Sequence, residues 1–173
     1  MKIRLPAACM VACAIASSPA LAVDYPARKP GLWEIKTGDG TAGKAAGQTI
    51  QQCIDAASDK ALRDMGQGMG KDMCAKQDLR LEGGKLVMDS VCKIGTTTAT
   101  SHAVMSGDFS TTYRMESKST YNPPLMGRTE GASVMEARWV GPCKADQKPG
   151  DMVMSNGMKM NVLDMMSGAR GKK

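Results

Sequence analysis

Apolar and polar residues alternate along much of this 173-residue chain, and a period of two is the spacing of a half-buried strand. Over positions 109–121 the odd residues begin Phe109, Thr111, Tyr113, Met115, while the even ones read Ser110, Thr112, Arg114, Glu116, Lys118. One face of that strand is apolar and the other wet. The same alternation recurs over 33–37, 78–82 and 135–139. Half-exposed strands of this kind assemble into antiparallel sheets. Glu82-Gly83-Gly84-Lys85 predicts a Gly-Gly hairpin, and Ser106-Gly107-Asp108 predicts a turn between the Thr-rich run from Thr96 and the strand at Phe109. Asn122-Pro123-Pro124-Leu125 reads as a rigid connection outside any ladder, because neither proline donates a hydrogen bond. A further strand is expected over 128–140, and another around 48–54.

Helical spacing appears once. Ala61, Leu62, Met65 and Met69 follow Ser58, a residue type suited to an N-cap, and predict one short amphipathic helix over 58–69, kept short by its glycines. The Gly/Ala/Thr-rich stretch 37–47 reads as a loop. Beyond Cys143, Lys148-Pro149-Gly150 opens a segment that ends polar and basic, expected to be a loosely attached extension. The fold class is therefore mainly β: an antiparallel meander sheet or small half-open barrel, with one short helix and two disulfides.

The N-terminus changes the picture. Lys2 and Arg4 precede an apolar run over 5–15, and Ala20-Leu21-Ala22 completes a secretory signal pattern with cleavage after Ala22. The run falls short of the roughly 20 residues that span a bilayer, and Met10-Val11-Ala12-Cys13, the one lipoprotein-like site, follows too short an apolar stretch. No later apolar stretch reaches spanning length. The expected organisation is a signal peptide over 1–22, a single β-rich domain over 23–151 and a Met-rich C-terminal extension over 152–173, located in the periplasm or secreted. The leader carries two of the 23 basic residues and none of the 17 acidic ones, so a mild basic excess remains. It is dispersed, apart from Arg170, Lys172 and Lys173. Nucleic-acid binding calls for a basic face with aromatic stacking platforms, and aromatics make up 3% of the chain.

Cleavage removes Cys9 and Cys13 and leaves Cys53, Cys74, Cys92 and Cys143 in an oxidising compartment. Four cysteines allow three pairings. Context favours Cys53–Cys74, which would pin the short helix, and Cys92–Cys143, which would tie the ends of the meander, each worth roughly 3–4 kcal/mol. A redox centre calls for Cys-x-x-Cys, and a zinc site for close pairs or neighbouring histidines. The sequence has neither.

Lys29-Pro30-Gly31-Leu32-Trp33-Glu34 opens the exported part, followed by Cys53, by Val91-Cys92 at a strand end, and by Gly141-Pro142-Cys143 leading to Lys148-Pro149-Gly150-Asp151. In these features the chain resembles the bacterial domain-of-unknown-function family 3617 over nearly its whole exported length. The resemblance implies a small exported single-domain protein and contributes no catalytic residue. On physical grounds, Pro30-Gly31 turns the chain into the first strand, where Trp33 and Ile35 face the core. With so few aromatics, Trp33 and Trp139 are the expected core anchors.

Candidate chemistry is sparse. His102 is the single histidine, so any Ser-His-Asp or Cys-His arrangement depends on it; its register, opposite to Ala103 and Met105, is that of an exposed strand residue. Asp89, Asp108 and Glu130 have no spacing that singles them out, and no phosphate loop occurs. The chain is not expected to be an enzyme. Methionine is abundant at 16 residues, six of them between Met152 and Met166. Met152-Val153-Met154 and Met158-Lys159-Met160 are Met-x-Met pairs whose sulfurs share a strand face, and thioethers select Cu(I). The leading expectation is a non-enzymatic module that holds a small apolar ligand or an envelope protein without a cofactor. The alternative is a Cu(I) site at Met152, Met154, Met158 and Met160.

Overall fold

The computed structural model describes residues 23–40 and 47–170. The expected leader over 1–22, its cleavage site, most of the 37–47 loop and the last three residues lie outside the described residues. The order of elements is β1 (Gly31–Gly38), β2 (Thr49–Ile54), α1 (Ala56–Met73), β3 (Cys74–Glu82), β4 (Lys85–Ile94), β5 (Thr97–Gly107), β6 (Thr112–Leu125), β7 (Arg128–Gly141), β8 (Asp151–Val153), β9 (Lys159–Asn161) and α2 (Val162–Arg170). All nine strands form one open antiparallel sheet in the order β3-β4-β5-β6-β7-β1-β2-β8-β9. Strands β3 to β7 are a meander, as the alternation predicts. Strand β1 then splices that meander to β2 and the terminal hairpin.

The opening Lys-Pro-Gly-Leu-Trp segment sets this splice. Trp33 is fully buried and donates from its indole nitrogen to the carbonyl of Lys29 at 2.8 Å. Its neighbour across β1 and β7 is Trp139, which donates to the carbonyl of Pro30 at 3.0 Å and carries the Lys29 ammonium 3.7 Å from its ring centroid. Gly31 has φ +130°, and a Cβ there would lie 2.4 Å from the Gly141 carbonyl oxygen and 2.5 Å from the Trp139 indole nitrogen. Only glycine fits. Trp33 packs with Ile35, Ile54 and Ala137 as the buried cluster, against which Tyr113 and Leu62 lie. Trp33 is thus the core anchor expected. Trp139 is only half-buried and sits at the rim, because its indole faces the Lys29-Pro30 strap.

Several expectations are corrected. The helix runs from Ala56 to Met73, not over 58–69, and Asp55 is its N-cap: the Asp55 side chain accepts from the Ser58 amide at 2.8 Å while the Ser58 hydroxyl accepts from the Asp55 amide at 2.9 Å. This reciprocal capping box, together with burial against the sheet, outweighs the helix-weakening glycines. Ser58 is the third residue inside. The strand expected from Phe109 begins instead at Thr112, since Phe109 takes φ +57° in a turn that Asp108 organises by accepting from the Thr111 and Thr112 amides. The two prolines do not end β6, which continues to Leu125 with a register shift and a cis Asn122-Pro123 bond. The turn falls later, at Met126-Gly127. The Gly83-Gly84 hairpin forms where predicted, with φ +56° and +76°.

The segment after Cys143 is not a loose extension. Gly150 donates to the Cys53 carbonyl at 2.8 Å, β8 pairs with β2, and α2 lies beside α1 with Leu163 and Met166 facing Ala57 and Ala61 across a shallow groove. Asn161 links the pieces. Its amide nitrogen donates to Asp151 at 2.8 Å and its oxygen accepts from the Leu163 amide at 3.0 Å, capping α2.

The disulfides are Cys53–Cys143 and Cys74–Cys92, not the Cys53–Cys74 and Cys92–Cys143 pairs expected. Cys74 does not turn back to the start of α1; it opens β3 and stands opposite Cys92 across the hairpin ladder. Cys53 and Gly141 both flank Leu32 of β1, so the other bridge reaches across β1 from β2 to the end of β7. In the chain-entropy account, replacing both cysteines of the Cys74–Cys92 pair by serine costs about 3 kcal/mol and of the Cys53–Cys143 pair about 4.5 kcal/mol. Denaturant unfolding of the two double variants is expected to show that order, and non-reducing peptide mapping the two linkages.

Candidate functional site

One face of the sheet is covered by α1 and by residues 23–28, and the cover does not close down everywhere. Between helix and sheet lies a cavity of about 530 Å³, within the range of small-molecule sites. Leu62, Arg63, Gly66, Gln67 and Lys71 line it from the helix, at the spacing of one helical face. Ile35, Leu79, Met88, Met105 and Met135 line it from the sheet. Gly66 stands at the middle of the helical face, and a Cβ there would meet nothing within 4 Å. Gly66 is itself exposed, so the gap opens to solvent at this point.

The wall beside the helix is fastened by polar contacts. Asp59 in the first turn of α1 has a side chain 2% exposed and pairs with Arg28 through Nε at 2.7 Å. The Arg28 main-chain amide donates to the same carboxylate at 3.1 Å, and its Nη1 donates to Gln52 at 3.0 Å. Tyr25 donates its hydroxyl to the Met88 sulfur at 3.1 Å. Burial raises the Tyr25 hydroxyl pKa, with Asp24 adding to the effect, and burial likewise raises that of Tyr113 against the opposing influence of Arg28. Both phenols are therefore neutral donors at physiological pH. Sequence periodicity places Ile35, Met105 and Met135 on an inward face; what it misses is that part of that face borders a cavity, for which the three helix glycines are the available signal.

The opposite face carries a polar trough of about 750 Å³ with Asp89, His102, Lys118 and Glu130 in its lining. His102 is 54% exposed with Nδ1 2.7 Å from Asp89, while Ala103 and Met105 are buried, matching the expected register. Asp89 also accepts from Arg80 at 2.5 Å, and the His102 and Arg80 hydrogen bonds hold its pKa below the usual carboxylate range. Ser101 and Ser119 bond to each other at 2.7 Å, on the face away from His102. Asp108 is lowered to about 2 by the Thr111 and Thr112 hydrogen bonds of its turn. Glu130 shares the trough lining with Asp89, whereas Asp108 serves its own turn.

The four candidate methionines lie in the terminal hairpin or at its turn. Met152 stands opposite Met160 across the β8–β9 pair, and the Met154 amide donates to the Met158 carbonyl at 2.9 Å around the Ser155-Asn156-Gly157 turn. Alternation puts Met152 and Met160 on one face of the β8–β9 pair, with Met154 and Met158 just outside it at the turn. Gln52 donates to the Met152 sulfur at 3.4 Å, and Met158 is 54% exposed. Among the described residues no group of three or more His, Cys, Asp or Glu side chains gathers at a metal-binding distance. Beneath the hairpin, Asp151 is 2% exposed and pairs with Lys159 at 2.9 Å. Burial raises its pKa, but hydrogen bonds from Asn161, the Lys148 amide and Lys159 outweigh this and bring it to about 2.

An open, helix-covered antiparallel sheet with two bridges and a lined cavity defines the class: a small, disulfide-stapled β-rich domain. Among the described residues no helix is long and apolar enough to cross a membrane. The model of the family described as "Protein of unknown function (DUF3617)" matches residues 28–143, and the chain belongs to that family. No curated protein and no solved structure matches it.

The Asp151 pKa gives a signed prediction. Its carboxylate is favoured in the folded state, so its contribution to stability is present above about pH 4 and is lost as the pH falls towards 2. Asp151→Ala is expected to cost about 2 kcal/mol at pH 7, since the buried Asn161 and Lys148 donors lose their acceptor. Urea unfolding between pH 6 and 2 should show a shallower decline for Asp151→Asn than for the native protein.

Proposed function

We propose that the protein is an exported, non-enzymatic binding module of the periplasm or extracellular space, and that its cavity between α1 and the sheet takes a small apolar ligand. The observation that carries this reading is the open gap at Gly66: a helix packed on a sheet for stability alone closes its interface to interior density, whereas here a 530 Å³ space remains with an apolar sheet floor. Export accords with the leader pattern and with two bridges that consume Cys53, Cys74, Cys92 and Cys143. The lone His102 and its Asp89 partner form a surface hydrogen bond in this reading.

Saturable fluorescence enhancement of the neutral probe N-phenyl-1-naphthylamine is expected for the native protein. Gly66→Leu fills the gap and should weaken that binding at least tenfold while raising the thermal midpoint, since it also replaces a helix-interior glycine, worth about 1 kcal/mol. Equal probe binding by the variant, or none by the native protein, would overturn the cavity reading.

A second reading is favoured by the hairpin register. Met152 and Met160 on one face, with Met154 and Met158 at the turn, offer up to four soft donors to Cu(I), which thioethers select over harder cations. Competitive titration with a Cu(I) chelator is expected to give one ion per chain bound tighter than micromolar, lost in Met154→Leu/Met158→Leu. Binding weaker than micromolar removes this reading and leaves the first untouched.

A further inference from the structure

The cavity is apolar along its floor and cationic at its wall. Among the described residues, Arg28, Arg63 and Lys71 line it and no carboxylate does. Two anions stand close behind the lining: Asp24, which accepts from Gln67 at 3.2 Å, and Asp59, whose side chain is 2% exposed and serves two arginines. Arg28 takes the better share, through Nε at 2.7 Å and the main-chain amide at 3.1 Å. Arg63 reaches the other oxygen with Nη1 at 3.1 Å, yet out of line for a hydrogen bond, so that a buried guanidinium nitrogen has no hydrogen-bond acceptor. Buried charged donors are normally satisfied. That nitrogen is itself out of reach of solvent, but the Arg63 side chain is 22% exposed at the cavity wall, and a carboxylate or phosphate meeting the guanidinium there would find the bidentate geometry it favours.

We propose that the ligand is a single-chain anionic amphiphile, its acid head on Arg63 and its chain along Met88, Met105 and Met135. The proposal rests on the apolar-cavity reading and adds the head group to it. Two features favour a flexible chain over a rigid ring. The floor is rich in methionine, the side chain that best adapts to irregular and moving apolar surfaces. Arg63 and Lys71 also lie about 12 Å apart along the helix, which gives the lining an elongated form with a cation at each end. The net charge of the wall is positive even after Asp24 and Asp59 are counted, so a neutral ligand of the same length leaves it uncompensated.

Isothermal titration of the full chain with dodecanoate, dodecyl phosphate and dodecanol tests this. The native protein is expected to bind at least one of the two anions ten or more times more tightly than the alcohol, and the tighter anion names the head. Arg63→Gln leaves a one-to-one Arg28–Asp59 pair; it should abolish the preference with alcohol binding retained, and Arg63→Lys should restore part of it. Equal affinity of the native protein for all three overturns the head-group assignment and leaves the apolar cavity standing. Failure of all three, together with failure of the neutral naphthylamine probe, removes both. The comparison on the native protein decides the matter even if a variant does not fold.

Discussion

The structure depends on the way the chain enters β1. Two indoles compete for room at this point, and each is satisfied by a carbonyl of the same short strap: Trp33 by Lys29 and Trp139 by Pro30. A buried indole nitrogen without an acceptor is costly, and only a chain turning at Gly31 brings both carbonyls within reach. Because β1 lies between β7 and β2, the strap fixes the register of the strand that joins the meander to the terminal hairpin. The Arg28 guanidinium stands 5.6 Å from the Trp33 ring centroid and is ion-paired with Asp59 of α1. The same few residues therefore seat the sheet, the helix and one wall of the cavity.

The two bridges protect the places that this packing leaves weakest. The β3 edge is remote from the Trp33 cluster, and Cys74–Cys92 ties it to β4 just where α1 ends. Strands β8 and β9 are three residues each, too short to hold an edge by ladder hydrogen bonds alone. Cys53–Cys143 brings the chain leaving β7 to β2, and the Asp151–Lys159 pair with the Asn161 cap locks the hairpin that follows. Covalent and buried polar contacts stand at the two ends of the sheet, and apolar packing at its centre.

How far the sequence discloses this depends on the range of the physics involved. Strand alternation and the Gly83-Gly84 turn are local, and the sheet, its half-exposed character and the outward register of His102 follow from them. The disulfide pairing is not local, but the hairpin contained a clue to it: counting outward from Glu82 and Lys85 brings Cys74 within one residue of Cys92, and a bulge between Cys74 and Lys76 supplies the difference. Bracketing of the helix in sequence outweighed that register and gave the wrong pairs. The role of Asp55 was hidden by Ser58, since both are good caps and only the backbone decides which lies outside the helix. The prolines of β6 mislead because an edge rule for ladders does not hold at a register shift. The cavity was not legible, because periodicity tells which residues face inward and not whether opposing faces touch.

Methionine divides into two populations that sequence counting had merged. Met88, Met105 and Met135 belong to the cavity floor, where softness of shape matters and the sulfur serves as a weak acceptor, as the Tyr25 hydroxyl shows at Met88. Met152, Met154, Met158 and Met160 belong to the terminal hairpin, where softness of the donor atom is what the proposed Cu(I) reading would use. Three of the chain's six aromatic residues, Tyr25, Phe109 and Tyr113, line the cavity with Met88, Met105 and Met135. A floor of flexible thioethers under a helix with a glycine at its centre leaves room without fixing its outline, and in the proposed reading it transfers the work of recognition to the charged groups at the wall. On the proposed reading, that division of labour between a compliant floor and fixed cations makes head-group chemistry, more than chain shape, the property by which the cavity would discriminate.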